Sequence, residues 1–470
     1  MKIRIRSMKK ILLAITTCLT LDAHATPLTV FESGAIADPG EVNANFSALE
    51  QRLKNIQHRG EPVSVDCSSN SNALMDAIND GSSFIEVTAG PCHAVTGAAD
   101  GSGNAPIMGS LYIRGSGTTK PELISRPDPS IPNYLGGRSG QLILENVAVT
   151  GPIVAIDSSA SFLAIDSIIT CLEDKTLSAV QGYDIGLYLN GATGSLANSV
   201  ISGCNGPAAL LDSSAHLNMG FGSEIRVPAS NTLIGRLGLM LRSGSSARIV
   251  NSVVGAAGNA VGSQVAMTLD NSRAHIEGSD TAVEGLVAVD NSSVLTLSSM
   301  VYEWLTAEQT NTPNYLLVSN NSSLHTSNTI FRNTAITTVN GLWDASTYVD
   351  LKTVFAVGAE VPLQHSNVSI KAGNISISGS HTDESAEADT LSAQVAAGGT
   401  LRVLPGEGGF DFNLVGALGY NSMLYNANGY SEILNLCREG TPQPLYWNSS
   451  NPTLETGAIC QVSSPQAPAP

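Results

Sequence analysis

The hydrophobic pattern of this chain is one short theme written many times. GSLYIRGSG (109–117), SGQLILENVAVTG (139–151), DSSASFLAIDSIITC (157–171), GSLANSVISGC (194–204), DSSAHLNMGFGSEI (212–225) and GSSARIVNSVVG (244–255) alternate aliphatic with polar residues. LDNSRAHIEGSDTAV (269–283), VDNSSVLTLSSM (289–300) and VSNNSSLHTSNTI (318–330) carry the theme on. Alternation with period two predicts short strands, and the Gly, Ser, Asn and Asp that bracket them predict turns. Runs starting at 139, 157, 194, 212, 244, 270, 290 and 320 lie 18 to 37 residues apart. Self-similarity on that scale predicts a solenoid whose coils stack while their loops vary in length. Hairpin signals of the Asn-Gly type are few, which weighs against a sandwich of antiparallel sheets. Side chains of Asp, Asn and Ser bond to nearby backbone and so hold tight corners. Asn271, Asn291 and Asn321 recur at such corners and are expected to form a polar ladder inside or beside the stack.

Before the repeats the pattern changes. MKIRIRSMKK is basic, ILLAITTCLTL is apolar, and Ala23-His24-Ala25 has small-x-small spacing. This reads as a signal peptide cleaved after Ala25, and no later apolar run is long enough to span a bilayer. Val42, Phe46, Leu49, Leu53 and Ile56 then follow one another at spacings of 4, 3, 4 and 3. Such a seam predicts a helix that either docks on the body or pairs with copies of itself, a homotrimer being one outcome. The stretch GEVNANFSAL resembles a segment seen in many exported bacterial proteins. In VSVDCSSNSNALMDAINDGSSFIEVTAGPC (63–92), Asn70 or Ser71 is placed to cap a helix bearing Ala73, Leu74, Ala77 and Ile78. Gly81 ends that helix, and a strand with Phe84, Ile85 and Val87 follows. The order of polar corner, helix, glycine and strand resembles the N-terminal cap of the pectate-lyase-like parallel β-helix superfamily. The resemblance implies an all-β fold, a right-handed parallel β-helix solenoid with an N-terminal helical segment and a small C-terminal cap.

On this reading 1–25 is the signal peptide, 26–60 the helical or coiled-coil segment, and 61–380 the β-helix with its capping helix. Residues 381–400 form a polar linker, 401–462 a C-terminal cap module, and 463–470 a disordered tail.

Charge and cysteine content narrow the setting. The chain carries a net charge of -17, and removing the basic signal segment makes it more acidic still. An acidic surface disfavours nucleic acid as a partner, and disfavours uronate polymers unless calcium bridges the like charges. Outside the signal segment six cysteines remain, an even number that fits disulfides in an exported chain. They fall into sequence-local pairs, Cys67–Cys92, Cys171–Cys204 and Cys437–Cys460. Cys171 and Cys204 each end a small-polar, aliphatic, aliphatic run. Equivalent strands of neighbouring coils would bring them to about 4.8 Å, within disulfide reach. Their spacing does not suit a metal site, so none is expected.

Chemistry is thinly signalled. The N-T-D, D-D and G-H-G runs of the galacturonan hydrolases are missing. A lyase would need an Arg or Lys base with carboxylates around calcium. Glu173, Asp174, Asp184, Glu224, Asp270 and Asp290 are scattered, though Arg226, Arg236 and Arg242 are close enough in sequence to share a face. His216, His275, His325 and His365 stand alone and read as surface or corner residues. The densest aromatic and acidic cluster interrupts the repeats at 298–317, with Tyr302, Glu303, Trp304, Glu308 and Tyr315. Rings stack on sugars and carboxylates accept sugar hydroxyls, so this loop is the candidate ligand site. The expected function is a secreted or surface scaffold binding polysaccharide or cell-surface glycan through side loops, without cofactor and without membrane insertion. A polysaccharide lyase or glycoside hydrolase, and a structural trimeric fibre element, are the alternatives. Calcium is expected only with the lyase, and the address is periplasmic, cell-surface or extracellular.

Overall fold

The computed structural model describes residues 61–98, 109–126, 133–137, 139–171, 185–204, 206–227, 237–256, 265–303, 314–327, 329–332, 334–337, 348–352, 368–379, 390–405, 413–418, 423–425, 443–448 and 451–456. The signal peptide, the 26–60 seam with the trimer expected from it, and the Cys437–Cys460 pair lie outside these residues. Contacts divide the chain into Met1–Val63 and Ser64–Pro470; the description below concerns the second unit.

The helix Ala73–Asn79 buries Leu74 and Ala77. Its N-cap is Asn72, not the expected Asn70 or Ser71, and it makes no side-chain cap bond. The amide oxygen of Asn72 is engaged by the His93 ring instead, and that of Asn70 accepts the Asn72 N–H. Gly81 follows the helix at φ 87°, donating to the Ile78 carbonyl as a helix-ending glycine does. The strand Phe84–Ala89 comes next, where the alternation places it.

Through most of the body each strand pairs, in parallel, with the strand three further along the chain. The ladders are three. One runs through Ile153–Ile156, Leu187–Asn190, Pro207–Asp212 and Leu237–Arg242 to Asn314–Val318. The second runs through Ala160–Ile165, Thr193–Ala197, His216–Gly220 and Ser246–Val250 to Ser323–Ser327. The third runs through Ile168–Thr170, Val200–Ser202, Glu224–Val227 and Val253–Ala256 to Ile330–Arg332. The fold is mostly β, with long parallel sheets of many stacked strands, an arrangement consistent with a parallel β-helix solenoid.

Register turns the period-two pattern into stacked rows of like residues. Ile153, Leu187, Ala209 and Leu239 succeed one another in the first ladder and are fully buried. Ile169, Ile201, Ile225 and Val254 do the same in the third. All belong to one continuous apolar core.

The corners explain the Asp/Asn-Ser theme, and they divide it between the two sides of the stack. The buried ladder is made of serine. Ser272 and Ser293 point inward, and the Ser272 N–H donates to Ser293 Oγ at 3.0 Å, the Ser293 N–H to Ser322 Oγ at 3.1 Å. A second serine row links Ser167 N–H to Ser199 Oγ and Ser199 N–H to Ser223 Oγ. Each hydroxyl in that row donates to a carbonyl of its own turn, so every one is satisfied despite burial. Asn271, Asn291 and Asn321 lie outside, exposed, at φ 49°, 53° and 61°. Asparagine tolerates that left-handed backbone better than most residues. From there Asn291 Nδ2 donates to Asp270 Oδ1 at 2.7 Å, and Asn321 Nδ2 to Ser292 Oγ at 3.4 Å. Asparagine is therefore the exterior clasp of the corner, and serine its interior one.

Stacking does not stop near 380. Val368–Gly379 pairs in parallel with Thr390–Pro405, so the second half of the expected linker is strand. Leu391, Ala393 and Val395 alternate there, and Val395 is buried. Parallel order ends where Asn413–Leu418 pairs antiparallel with Gln443–Asn448, and that strand with Asn451–Thr456.

Candidate functional site

Connections within each coil are unequal. From Ile153 to Arg332, the first and second strands of a coil, and the second and third, are joined by short corners. The third strand passes to the next coil across 171–186, 228–236, 257–264 and 304–313, the long segments of this region, and by short links at 203–206 and Gly285. Each begins after a third-ladder strand and ends before a first-ladder strand.

The outward face of the third ladder carries a charged group at Glu224, Arg226 and Glu284. Arg226 bonds Glu224 through Nε at 2.9 Å and Glu284 through Nη1 at 2.7 Å. Gly255 lies between Arg226 and Glu284 in the register. A Cβ on Gly255 would come within 2.0 Å of the Glu284 carbonyl oxygen, and its φ of 142° is unfavourable to other residues. Without a side chain there, the arginine can reach over a whole coil to Glu284. Burial pushes the Glu284 carboxyl above its ordinary range, against the pull of Arg226. For Arg226 burial opposes the charge, but Glu224 and Glu284 together hold the guanidinium more firmly protonated than usual. The pairing Val283↔Tyr302 puts Glu303 beside Glu284, and Glu303 in turn pairs with Arg332.

This arrangement makes a pH-dependent prediction. A carboxyl whose folded pKa is raised adds stability that is complete below its ordinary value and is lost as pH rises through the folded value. Arg226→Met removes the charge that restrains that rise. The variant should lose about 1–3 kcal/mol at neutral pH, the usual cost of a buried group left without its partner. The deficit should shrink as Glu284 is protonated on acidification. Urea midpoints of variant and parent, compared at neutral and mildly acidic pH, check it; a deficit that grows in acid would contradict it.

The structure separates the residues of the 298–317 cluster. Tyr302 points into the core, fully buried, its hydroxyl donating to the Gly285 carbonyl at 3.2 Å. Its ring is thus not available to a ligand, because an alternating strand sends residue 302 inward. Glu303 closes the third-ladder strand Val301–Glu303, and Tyr315 lies in the first-ladder strand Asn314–Val318. Trp304 and Glu308 lie outside the described residues.

Arg226 and Arg242 do not share a face. Arg226 is on the third ladder, Arg242 is at a corner bonded to Asp212 at 2.7 Å, and Arg236 lies outside the described residues. Asp270 and Asp290 are corner residues as well. Among the described residues no group of three or more His, Cys, Asp or Glu is placed to hold a metal ion.

Two cysteine pairs meet as disulfides. Cys67–Cys92 has its Cα atoms 5.3 Å apart and Cys171–Cys204 4.8 Å apart. The second pair follows the neighbouring strands Ile168–Thr170 and Val200–Ser202 directly, and so closes the base of the 172–184 segment.

His216, His275 and His325 are not solitary, and His365 lies outside the described residues. His216 Nδ1 lies 2.8 Å from Ser246 Oγ and its Nε2 3.1 Å from Asn218 Oδ1. His275 Nε2 lies 3.0 Å from Glu277 Oε2, and Arg248 pairs with the same carboxylate. Partial burial works against the charge of Glu277, but Arg248 and His275 hold its carboxyl below the usual range. All of these residues, with His325, are on the second ladder. Their sequence spacing hides this, because loops of unequal length separate the strands that carry them.

No protein-family model, curated protein or solved structure matches the chain. Among the described residues no helix is long and apolar enough to cross a membrane. The disulfides fit an oxidising compartment.

Proposed function

We propose that the chain is an exported right-handed parallel β-helix of the pectate-lyase-like kind, a secreted or surface-associated scaffold that binds glycan through loops on one side. Right-handedness follows from the strong preference of parallel strand-to-strand crossovers. The observation that carries the binding reading is that the long connections all join a third-ladder strand to a first-ladder strand. A rigid body that carries its variable loops at one recurring junction has the form of a recognition scaffold. Glu303, Trp304 and Glu308 enter one of these loops from the charged third ladder.

A second reading, glycoside hydrolysis, is favoured by one feature. Glu284 keeps a proton more readily than usual, and Glu303 has the neighbouring register position, about 4.8 Å away along the ladder. A proton-holding carboxyl beside a second carboxyl is the minimum equipment of a glycosidase.

Purified protein run through gels containing neutral or acidic polysaccharides separates the two readings. Retention by one glycan, lost in Trp304→Ala and kept in Glu284→Gln, is the expected result. New reducing ends from the parent and none from Glu284→Gln would favour the hydrolase. Neither retention nor cleavage on any polymer would reject both.

A further inference from the structure

We draw no further inference here: the strongest candidate, the apolar outward patch of Phe84, Tyr112, Ile143 and Leu163 at the N-terminal end of the second ladder, carries nothing because nothing among the described residues shows what covers it.

Discussion

Tyr302→Ala will destabilise the protein by about 3–5 kcal/mol, the usual cost of removing a large, fully buried aromatic side chain. Tyr302 is among the largest side chains in the core with no exposed surface. Its neighbour in the inward row of the third ladder is Val283, so the truncation opens a cavity beside the preceding coil. Tyr302→Phe keeps the ring and loses only the bond to the Gly285 carbonyl, so it should cost about 1 kcal/mol. Urea denaturation of the three proteins measures both numbers. The contrast matters because Tyr302 sits two residues from Trp304, in the segment whose composition suggests a ligand site. A Tyr302→Ala protein with parental stability and impaired glycan retention would place the ring in the site, and the buried role would be wrong.

Breaking the Cys171–Cys204 bridge should have the next largest effect. The bond closes a loop with a sequence separation of 33. Cross-linking a loop of that size restricts the unfolded chain by about 3–4 kcal/mol in the chain-entropy account. Cys171→Ser/Cys204→Ser should lower the denaturant midpoint accordingly, and both sulfurs are removed together so that no lone buried thiol remains. Reducing the parent protein should give a shift in the same direction. A midpoint unmoved by either treatment would mean that the ladders alone hold these coils in register.

How far the sequence spoke for itself differed from feature to feature. The strands were legible because alternation is local and each coil writes it afresh. The Cys171–Cys204 bridge was legible because both cysteines end the same small run, and like runs stack. The asparagines were legible as corner residues inside or beside the stack, and they lie beside it; the inward serine next to them carried no separate signal. In DNSS, Asn291 and Ser292 both take the left-handed backbone and stay outside while Ser293 turns inward, a distinction set by backbone angle and not by polarity. Arg226 and Glu284 are 58 residues apart, and only the register through Gly255 brings them together. That register depends on where each variable connection ends, which alternation does not encode. The same uncertainty made His216, His275 and His325 look unrelated. Tyr302 was misassigned to a ligand for a simpler reason: composition marks the cluster, while parity along the strand decides which member turns inward.

The unequal connections have a consequence for how such a protein can change. A residue inserted at either tight corner would displace the inward rows and set serine against aliphatic in the coil below. One inserted between Glu303 and Asn314 leaves every ladder in place, because the strands on either side are already pinned to their neighbours. The determinants of stacking are therefore kept apart from the long connections, which can change in length while the stack stays fixed. Exchanging one of these segments for an unrelated sequence should leave the ladders on either side in register.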